Sequence, residues 1–210
     1  MRRFKLIFTV MILGVVILIL VSFDNLLAKI KSVKVAKGEK KMKVAMIIAK
    51  TNFRDEEYLE PKKILTSAGI EVITVSSSLG EAIGMLGAKV KVDTTIDRIE
   101  VENYDGIIFV GGTGAQEYWD SQVAHKIILD AVQKDKVVGA ICIAPVILAR
   151  SGVLKNKKAT VFPSEISELQ KYGSIVSSNK VEVDGKIITA SGPSAAKEFG
   201  EKIKELLLKK

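Results

Sequence analysis

The only cysteine of the chain, Cys142, lies at a sharp turn between an apolar run at 137–141 and a helix-like segment at 143–151. Such a turn lifts a side chain above a sheet edge and sets it at a helix N-terminus, where peptide dipoles favour a thiolate and lower the pKa of the cysteine. Ala140 and Ala144 are small enough for strand and helix to approach closely, as glycines allow in a nucleophile elbow. The alternative is that Cys142 is a small apolar side chain in a buried strand.

Strands and helices alternate along the chain after residue 43. Apolar or alternating runs predict strands at 44–49, 70–75, 89–92, 107–110, 137–141, 159–162, 181–183 and 186–189. Helices are expected at 55–68, 122–134, 143–151, 164–171 and 194–208. This alternation predicts an α/β three-layer sandwich with a mostly parallel central sheet. Sites in such sheets form at the carboxyl ends of the strands, where loops after Ala49, at Gly111–Gly114 and at Cys142 would meet.

Four sequence features occur in order: an acidic turn at 53–57 ahead of Pro61, Gly111-Gly112 after an apolar strand, the cysteine turn with Pro145, and an Asp184-Gly185 hairpin ahead of Gly192-Pro193. With these features the chain resembles the ThiJ/PfpI superfamily over residues 42–208. The resemblance implies a flavodoxin-like or amidotransferase-like fold, related to that of the class I glutamine amidotransferases. It also implies a homodimer or a higher homo-oligomer.

The resemblance assigns the nucleophile to Cys142 and its acidic partner, four residues before a proline, to Glu57. Backbone N–H groups of Gly111, Gly112 and Ile143 would hold an oxyanion. The alternative for Glu57 is a solvated carboxylate in the first turn of a helix. Because a thiolate and a carboxylate repel each other, the pair is expected to share a proton, with protonated Glu57 donating a hydrogen bond to the thiolate.

The histidines that superfamily members use are replaced in this chain. Peptidase-like members carry histidine where this chain has Ile143, and the deglycase and chaperone branch carries one at the position of Phe162. The single histidine, His125, lies on a predicted helix, where we expect it to pack on the helix surface. Without an imidazole there is no general base for amide cleavage, so peptidase activity is not expected.

No metal and no cofactor are expected from the sequence. One histidine and one cysteine that lie far apart make a poor metal site. The spacing of Gly111–Gly114 is wrong for a P-loop or a dinucleotide-binding loop.

Two classes of function stay open on the sequence. The first is a cysteine-dependent hydrolase or lyase of the glyoxalase or deglycase type, in which Cys142 attacks a small-molecule carbonyl substrate and Glu57 moves the proton. The second is a non-catalytic redox-sensing or chaperone-like stress protein in which an oxidant modifies Cys142. The missing histidines favour the second class, whereas the Cys142–Glu57 pair is compatible with both classes. A wholly inert descendant of the fold is a third alternative.

The N-terminal segment differs in composition from the rest of the chain. Residues 1–43 carry ten basic residues against Asp24 and Glu39, which accounts for the whole net charge of +8 and argues against a nucleic-acid partner for the remainder. Residues 6–23 are uncharged and long enough to cross a bilayer. We therefore expect a membrane anchor or uncleaved signal segment at 1–28, a lysine-rich tether at 29–42 and a ThiJ/PfpI-like domain at 43–210.

These segments predict a single-pass membrane protein that contacts the bilayer through its N-terminal helix. The basic tip at residues 2–5 favours a cytoplasmic N-terminus and an extracytoplasmic domain. The seven lysines between Asp24 and Lys43 favour the cytoplasmic side instead, which stays as the alternative. Cleavage after Ala28 would place Leu26 at the −3 position, which is a poor site.

Overall fold

The structure is a computed structural model that describes residues 41–209. Within this range the strands are β1 Lys43–Ile47, β2 Thr51–Phe53, β3 Glu71–Ser76, β4 Gly80–Gly84, β5 Lys89–Val92, β6 Thr94–Thr95, β7 Gly106–Phe109, β8 Val137–Ile141, β9 Lys158–Ala159, β10 Ile175–Val176, β11 Val181–Asp184 and β12 Ile187–Ala190. The α-helices are α1 Asp55–Ser67, α2 Gln122–Gln133, α3 Pro145–Arg150, α4 Ile166–Lys171 and α5 Ala196–Leu208.

Seven strands form the central sheet, in the order β11-β12-β8-β7-β1-β3-β6. Every neighbouring pair is parallel except β11 and β12, which form an antiparallel hairpin. The predicted α/β architecture with a mostly parallel sheet is therefore confirmed. Ile47 is in register with Phe109, and Phe109 with Ala140, so β1, β7 and β8 end at one edge of the sheet.

The central strands are apolar throughout because helices cover both faces of the sheet. All residues of β7 and β8 are buried, as are those of β1 after Lys43. Helices α1 and α5 pack so closely that a side chain at Gly200 would lie 2.8 Å from the backbone of Pro61. This packing fixes the start of α1 relative to the sheet edge.

Two predicted elements are shorter in the structure. The strand expected at 159–162 is reduced to β9, Lys158–Ala159. The helix expected at 143–151 is shorter, because residues 142–144 form a turn and α3 begins only at Pro145. A three-stranded sheet, β2-β4-β5, lies outside the central sheet and contributes the loop that precedes α1.

The predicted membrane location is wrong. No helix among residues 41–209 is long and apolar enough to cross a bilayer. The longest of them, α1 and α5, have 13 residues each, which corresponds to about 20 Å against a hydrocarbon core of about 30 Å. The predicted anchor at 1–28 and nearly all of the tether at 29–42 lie outside the described residues.

Candidate functional site

The turn predicted at Cys142 is present, and its backbone is strained. Cys142 follows β8 directly and has a φ of 63°, in the left-handed region that costs a non-glycine residue about 1–2 kcal/mol. Its N–H donates to the Ala190 carbonyl at 2.9 Å, and its carbonyl accepts from the Phe162 N–H at 2.8 Å. Because hydrogen bonds hold the peptide groups on both sides, the surrounding structure maintains the strained conformation.

Glu57 is the acidic group of the site. It is the third residue of α1 and is fully buried, so the alternative of a solvated first-turn carboxylate does not hold. Oε2 accepts a hydrogen bond from the Gly111 N–H at 3.1 Å. Oε1 has no partner with hydrogen-bond geometry in the described part of the chain, although the Cys142 thiol lies close enough to lower the pKa of this carboxyl.

The glycine pair after β7 is required by close packing. A side chain at Gly111 would lie 2.5 Å from Oε2 of Glu57 and would overlap Cβ of Cys142. Gly112 has a φ of 95°, and a side chain there would strike the backbone of Asn52 and Arg54. Loops from three distant parts of the sequence therefore meet at backbone contact distance.

The backbone donors predicted for an oxyanion divide into two groups. The N–H groups of Gly112 and Ile143 lower the pKa of the Cys142 thiol, which indicates that they lie near its sulfur. The N–H of Gly111 instead donates to Glu57. Two of the three predicted donors thus act on the thiol, and the third holds the carboxyl.

The two titratable groups are both shifted towards their neutral forms. Burial raises the pKa of Glu57 to about 8, against the opposing effects of the nearby Cys142 thiol and of the hydrogen bond from the Gly111 N–H. Burial also raises the pKa of Cys142 to about 12, and the charge of Glu57 adds to this. The sequence predicted a lowered thiol pKa, but α3 starts three residues after Cys142 and has only six residues, so burial dominates over the helix dipole.

The positions that replace the missing histidines are also defined. The backbone of Phe162 is hydrogen-bonded to Cys142, and its ring is 41% exposed beside Gly192. The side chain of His125 lies on α2, where Nε2 is 2.9 Å from the Trp119 carbonyl. His125 thus makes a local contact, as expected from the sequence.

Two residues of the acidic turn have roles that sequence reasoning missed. Asp55 is buried and accepts the backbone N–H groups of Leu86 at 2.8 Å and Ala88 at 2.7 Å, which ties the β4–β5 turn to α1. The Arg54 N–H donates to the Gly111 carbonyl at 2.9 Å. The signal available in the sequence was an arginine followed by three acidic residues at 54–57.

A model of the DJ-1/PfpI family matches residues 42–206, which carry the whole of this site. The chain belongs to the DJ-1/PfpI family. The resemblance stated from the sequence motifs is confirmed, and the domain has the flavodoxin-like fold of the family.

Three relatives show how the similarity is distributed. An uncharacterized protein of Methanocaldococcus jannaschii is 46% identical over 164 residues, covering 77% of this chain and 80% of the relative. A deglycase of Pyrococcus horikoshii is 31% identical over 153 residues, covering 73% of this chain and 92% of the deglycase. The crystal structure of a ThiJ/PfpI domain protein from Brachyspira murdochii matches with a TM-score of 0.78 at 30% identity, covering 80% of this chain and 98% of that one. The homo-oligomer expected for this DJ-1/PfpI domain stays a prediction.

Proposed function

We propose that this DJ-1/PfpI domain is a cysteine-dependent enzyme acting on small reactive carbonyl compounds, with Cys142 as nucleophile and Glu57 as the proton carrier. One observation carries the proposal. A fully buried carboxyl, held by Gly111 through one oxygen and unpartnered at the other, lies beside a thiol whose pKa is lowered by the backbone N–H groups of Gly112 and Ile143. A buried unpartnered carboxyl oxygen costs free energy, which a bound substrate would recover.

The reaction that fits these groups converts a 2-oxo aldehyde and water into a 2-hydroxy acid. Ionised Glu57 takes the thiol proton and passes it to the aldehyde oxygen, while the sulfur–carbon bond forms and the carbon–oxygen π bond breaks. The carboxylate then moves the proton of the former aldehyde carbon to the neighbouring carbon, and the hydroxyl proton passes to the oxygen of that neighbouring carbon, which gives the thioester of the 2-hydroxy acid. Water releases the acid and restores the thiol. The first carbon is oxidised as the second is reduced, so no external oxidant is needed.

The backbone donors stabilise the charge that develops during addition. The N–H groups of Gly112 and Ile143 are close enough to lower the pKa of the thiol, so they would lie near the carbon that the sulfur attacks. Aldehyde chemistry needs one shuttling carboxyl, whereas amide cleavage needs an acid for the amine leaving group. The similarity to a deglycase of Pyrococcus horikoshii supports the same class of chemistry.

The second candidate is a redox-sensing or chaperone-like stress protein without catalysis. The exposed ring of Phe162, next to the cysteine where an imidazole would assist catalysis, favours it. In that case peroxide would oxidise Cys142 to a sulfinate, which is recognised by a mass increase on a peptide containing the only cysteine of the chain.

Conversion of methylglyoxal to lactate, followed by NMR, tests the proposal. The native protein should produce lactate, and Cys142→Ser and Glu57→Gln should each abolish its formation. Arg98→Gln, which changes an exposed residue outside the site, serves as the control and should retain the native rate. Lactate formation that persists in Cys142→Ser, or no lactate from any of the proteins, would exclude the enzymatic role. Peroxide-dependent oxidation of Cys142 would then support the second candidate.

A further inference from the structure

The two positions at which superfamily members carry histidine are both apolar in this chain, and both adjoin the cysteine. Ile143 follows Cys142 directly and is buried, while the Phe162 N–H donates to the Cys142 carbonyl at 2.8 Å. An imidazole can donate and accept hydrogen bonds, whereas these two side chains offer a ligand only apolar surface. Two residues in covalent or hydrogen-bond contact with Cys142 are therefore apolar.

The ring of Phe162 lies beside Gly192. A Cβ at Gly192 would be 3.2 Å from Cδ2 and 3.7 Å from Cε2 of the ring, and the φ of 147° at Gly192 is one that residues with a side chain rarely adopt. Gly192 comes two residues after Ala190, whose carbonyl accepts the Cys142 N–H at 2.9 Å. The ring therefore lies beside the same segment, 190–192, that binds the cysteine turn.

Much of the Phe162 side chain is open to a ligand. The residue is 41% exposed, and its ring pairs with no other aromatic ring within residues 41–209. An exposed phenyl ring that is already held in place gains favourable contact area when an apolar or aromatic group covers it. Phe162 thus offers an apolar surface at the rim of the cysteine site.

A second observation gives the polar end of the same site. The buried Glu57 keeps Oε1 without a hydrogen-bond partner in the described part of the chain, while Oε2 is held by the Gly111 N–H. A carbonyl that reacts with Cys142 and exchanges a proton with Glu57 has its substituent outside this polar end. An apolar substituent can then contact Phe162, whose backbone is bonded to the peptide of Cys142.

We propose that the site selects 2-oxo aldehydes whose ketone carbon carries an aromatic or bulky apolar substituent, with Phe162 as the residue that recognises this substituent. The inference rests on the proposed function, since the aldehyde carbon is the one that Cys142 attacks. The aldehyde carbon is oxidised to the acid as the ketone carbon is reduced, and water supplies the acid oxygen. Phenylglyoxal would thus give mandelate by the steps that convert methylglyoxal to lactate.

Two chloroketones test the contact without turnover. Chloroacetone and 2-chloroacetophenone carry a methyl and a phenyl group where methylglyoxal and phenylglyoxal carry them. Cys142 attacks the chloromethyl carbon, a sulfur–carbon bond forms and chloride leaves, and the adduct is located by mass because Cys142 is the only cysteine. The phenyl-to-methyl ratio of the two rates, divided by the same ratio for glutathione, reports the substituent contact and cancels changes in thiol pKa.

Three variants separate recognition of the substituent from general effects. Phe162→Ala should lower the phenyl-to-methyl ratio about threefold to tenfold, the range that one aromatic contact contributes. Phe162→Leu keeps part of the apolar surface and should lower the ratio less. Leu208→Ala is the control and should leave the ratio unchanged, because Leu208 is an exposed apolar residue at the end of α5. Its neighbour Leu207 lines a cavity with Met42 and Asp105, which precede β1 and β7 at the opposite edge of the sheet.

The inference is overturned if Phe162→Ala shifts the ratio no more than Leu208→Ala does, or if Cys142 of the native protein reacts with neither chloroketone while glutathione reacts with both. Turnover separates it from the proposed function, since Phe162→Ala should lower the ratio of kcat/KM for phenylglyoxal to that for methylglyoxal by a similar factor. A native protein that forms neither mandelate nor lactate but keeps the Phe162-dependent chloroketone ratio would refute the proposed function alone. Formation of both acids in a proportion that Phe162→Ala leaves unchanged would refute this inference alone.

Discussion

The backbone N–H of Gly111 donates to Oε2 of Glu57 at 3.1 Å and joins residues 54 positions apart in the sequence. The bond crosses from the loop after β7 to the first turn of α1. The carbonyl of Gly111 accepts a hydrogen bond from the Arg54 N–H, so this glycine holds the start of α1 through both its N–H and its carbonyl. The position of the carboxyl beside Cys142 follows from this cross-link.

The first prediction concerns the space at Gly111. Gly111→Ala should destabilise the fold by about 1–3 kcal/mol and expose Glu57 to water, because the new Cβ would lie 2.5 Å from Oε2 of Glu57 and 2.7 Å from the Ile141 carbonyl. Urea unfolding measures the loss. Gly106→Ala on β7 is the matched control, since its Cβ would meet the nearest atom at an ordinary 3.4 Å. Equal effects of the two substitutions would contradict this account of the packing.

The second prediction concerns the pKa of the thiol. Glu57→Gln removes the negative charge that helps to raise the pKa of Cys142, so the midpoint of the alkylation rate against pH should move down by roughly one to two units. The measurement is the rate of iodoacetamide incorporation between pH 6 and the highest pH at which the protein stays folded. An unshifted midpoint would mean that the two groups do not interact.

The third prediction concerns stability against pH. Burial raises the pKa of Glu57 to about 8 in the folded state, while the unfolded value is near 4.5. The folded protein therefore binds the proton more tightly, and stability from this group is full below pH 4.5 and declines as the pH rises towards 8. Glu57→Gln should remove this decline, so between pH 5 and 8.5 the variant gains on the order of 4 kcal/mol relative to the native protein.

Chemical unfolding of both proteins at several pH values gives the comparison. Other titrating groups are common to the two proteins and cancel in the difference. Parallel stability curves would show that Glu57 is ionised in the folded protein at neutral pH.

The sheet could be predicted from the sequence because burial on both faces leaves a simple pattern. The apolar run at 137–141 is observed as β8 with the same bounds, and the run at 44–49 contains β1 apart from its first residue. The strand pattern then placed Cys142 and the glycine pair at one edge, and the resemblance to the ThiJ/PfpI superfamily added Glu57. A local sequence pattern is enough to predict a strand when all the side chains of that strand are buried.

The details of the site could not be predicted, because they depend on contacts between distant loops. Whether the Gly111 N–H donates a hydrogen bond to a substrate or to Glu57 depends on where α1 begins. The direction of the thiol pKa shift depends on how deeply Cys142 is buried. The residue spacing around the cysteine gives no information about that burial. The partners of Asp55 lie more than thirty positions away on the β4–β5 turn.

The fourth prediction concerns Asp55. Asp55→Ala should destabilise the protein by about 2–4 kcal/mol, because the buried N–H groups of Leu86 and Ala88 lose their shared acceptor. Asp55→Asn keeps one acceptor oxygen and should cost less. Thermal and urea unfolding measure both, with Asp97→Ala as the control at an exposed aspartate. A stability of Asp55→Ala equal to that of the control would show that the β4–β5 turn is held by other contacts.

The fifth prediction concerns the missing imidazole. Phe162→His places a general base at a residue whose N–H already donates to the Cys142 carbonyl at 2.8 Å. The ring is partly exposed, so an imidazole there stays hydrated and is neutral above about pH 6.5. General-base assistance should raise the rate of lactate formation from methylglyoxal roughly tenfold to a hundredfold at pH 7.5.

Phe162→Leu is the matched control for this substitution, since it shortens the side chain without supplying a base. A gain in Phe162→His that is absent in Phe162→Leu and disappears below pH 6, where the imidazole is protonated, would show that the base acts on the site. Equal rates in the two variants across this pH range would mean that position 162 does not reach the reacting atoms. A low rate of lactate formation by the native protein would then be attributed to the burial of Cys142 rather than to the absence of an imidazole.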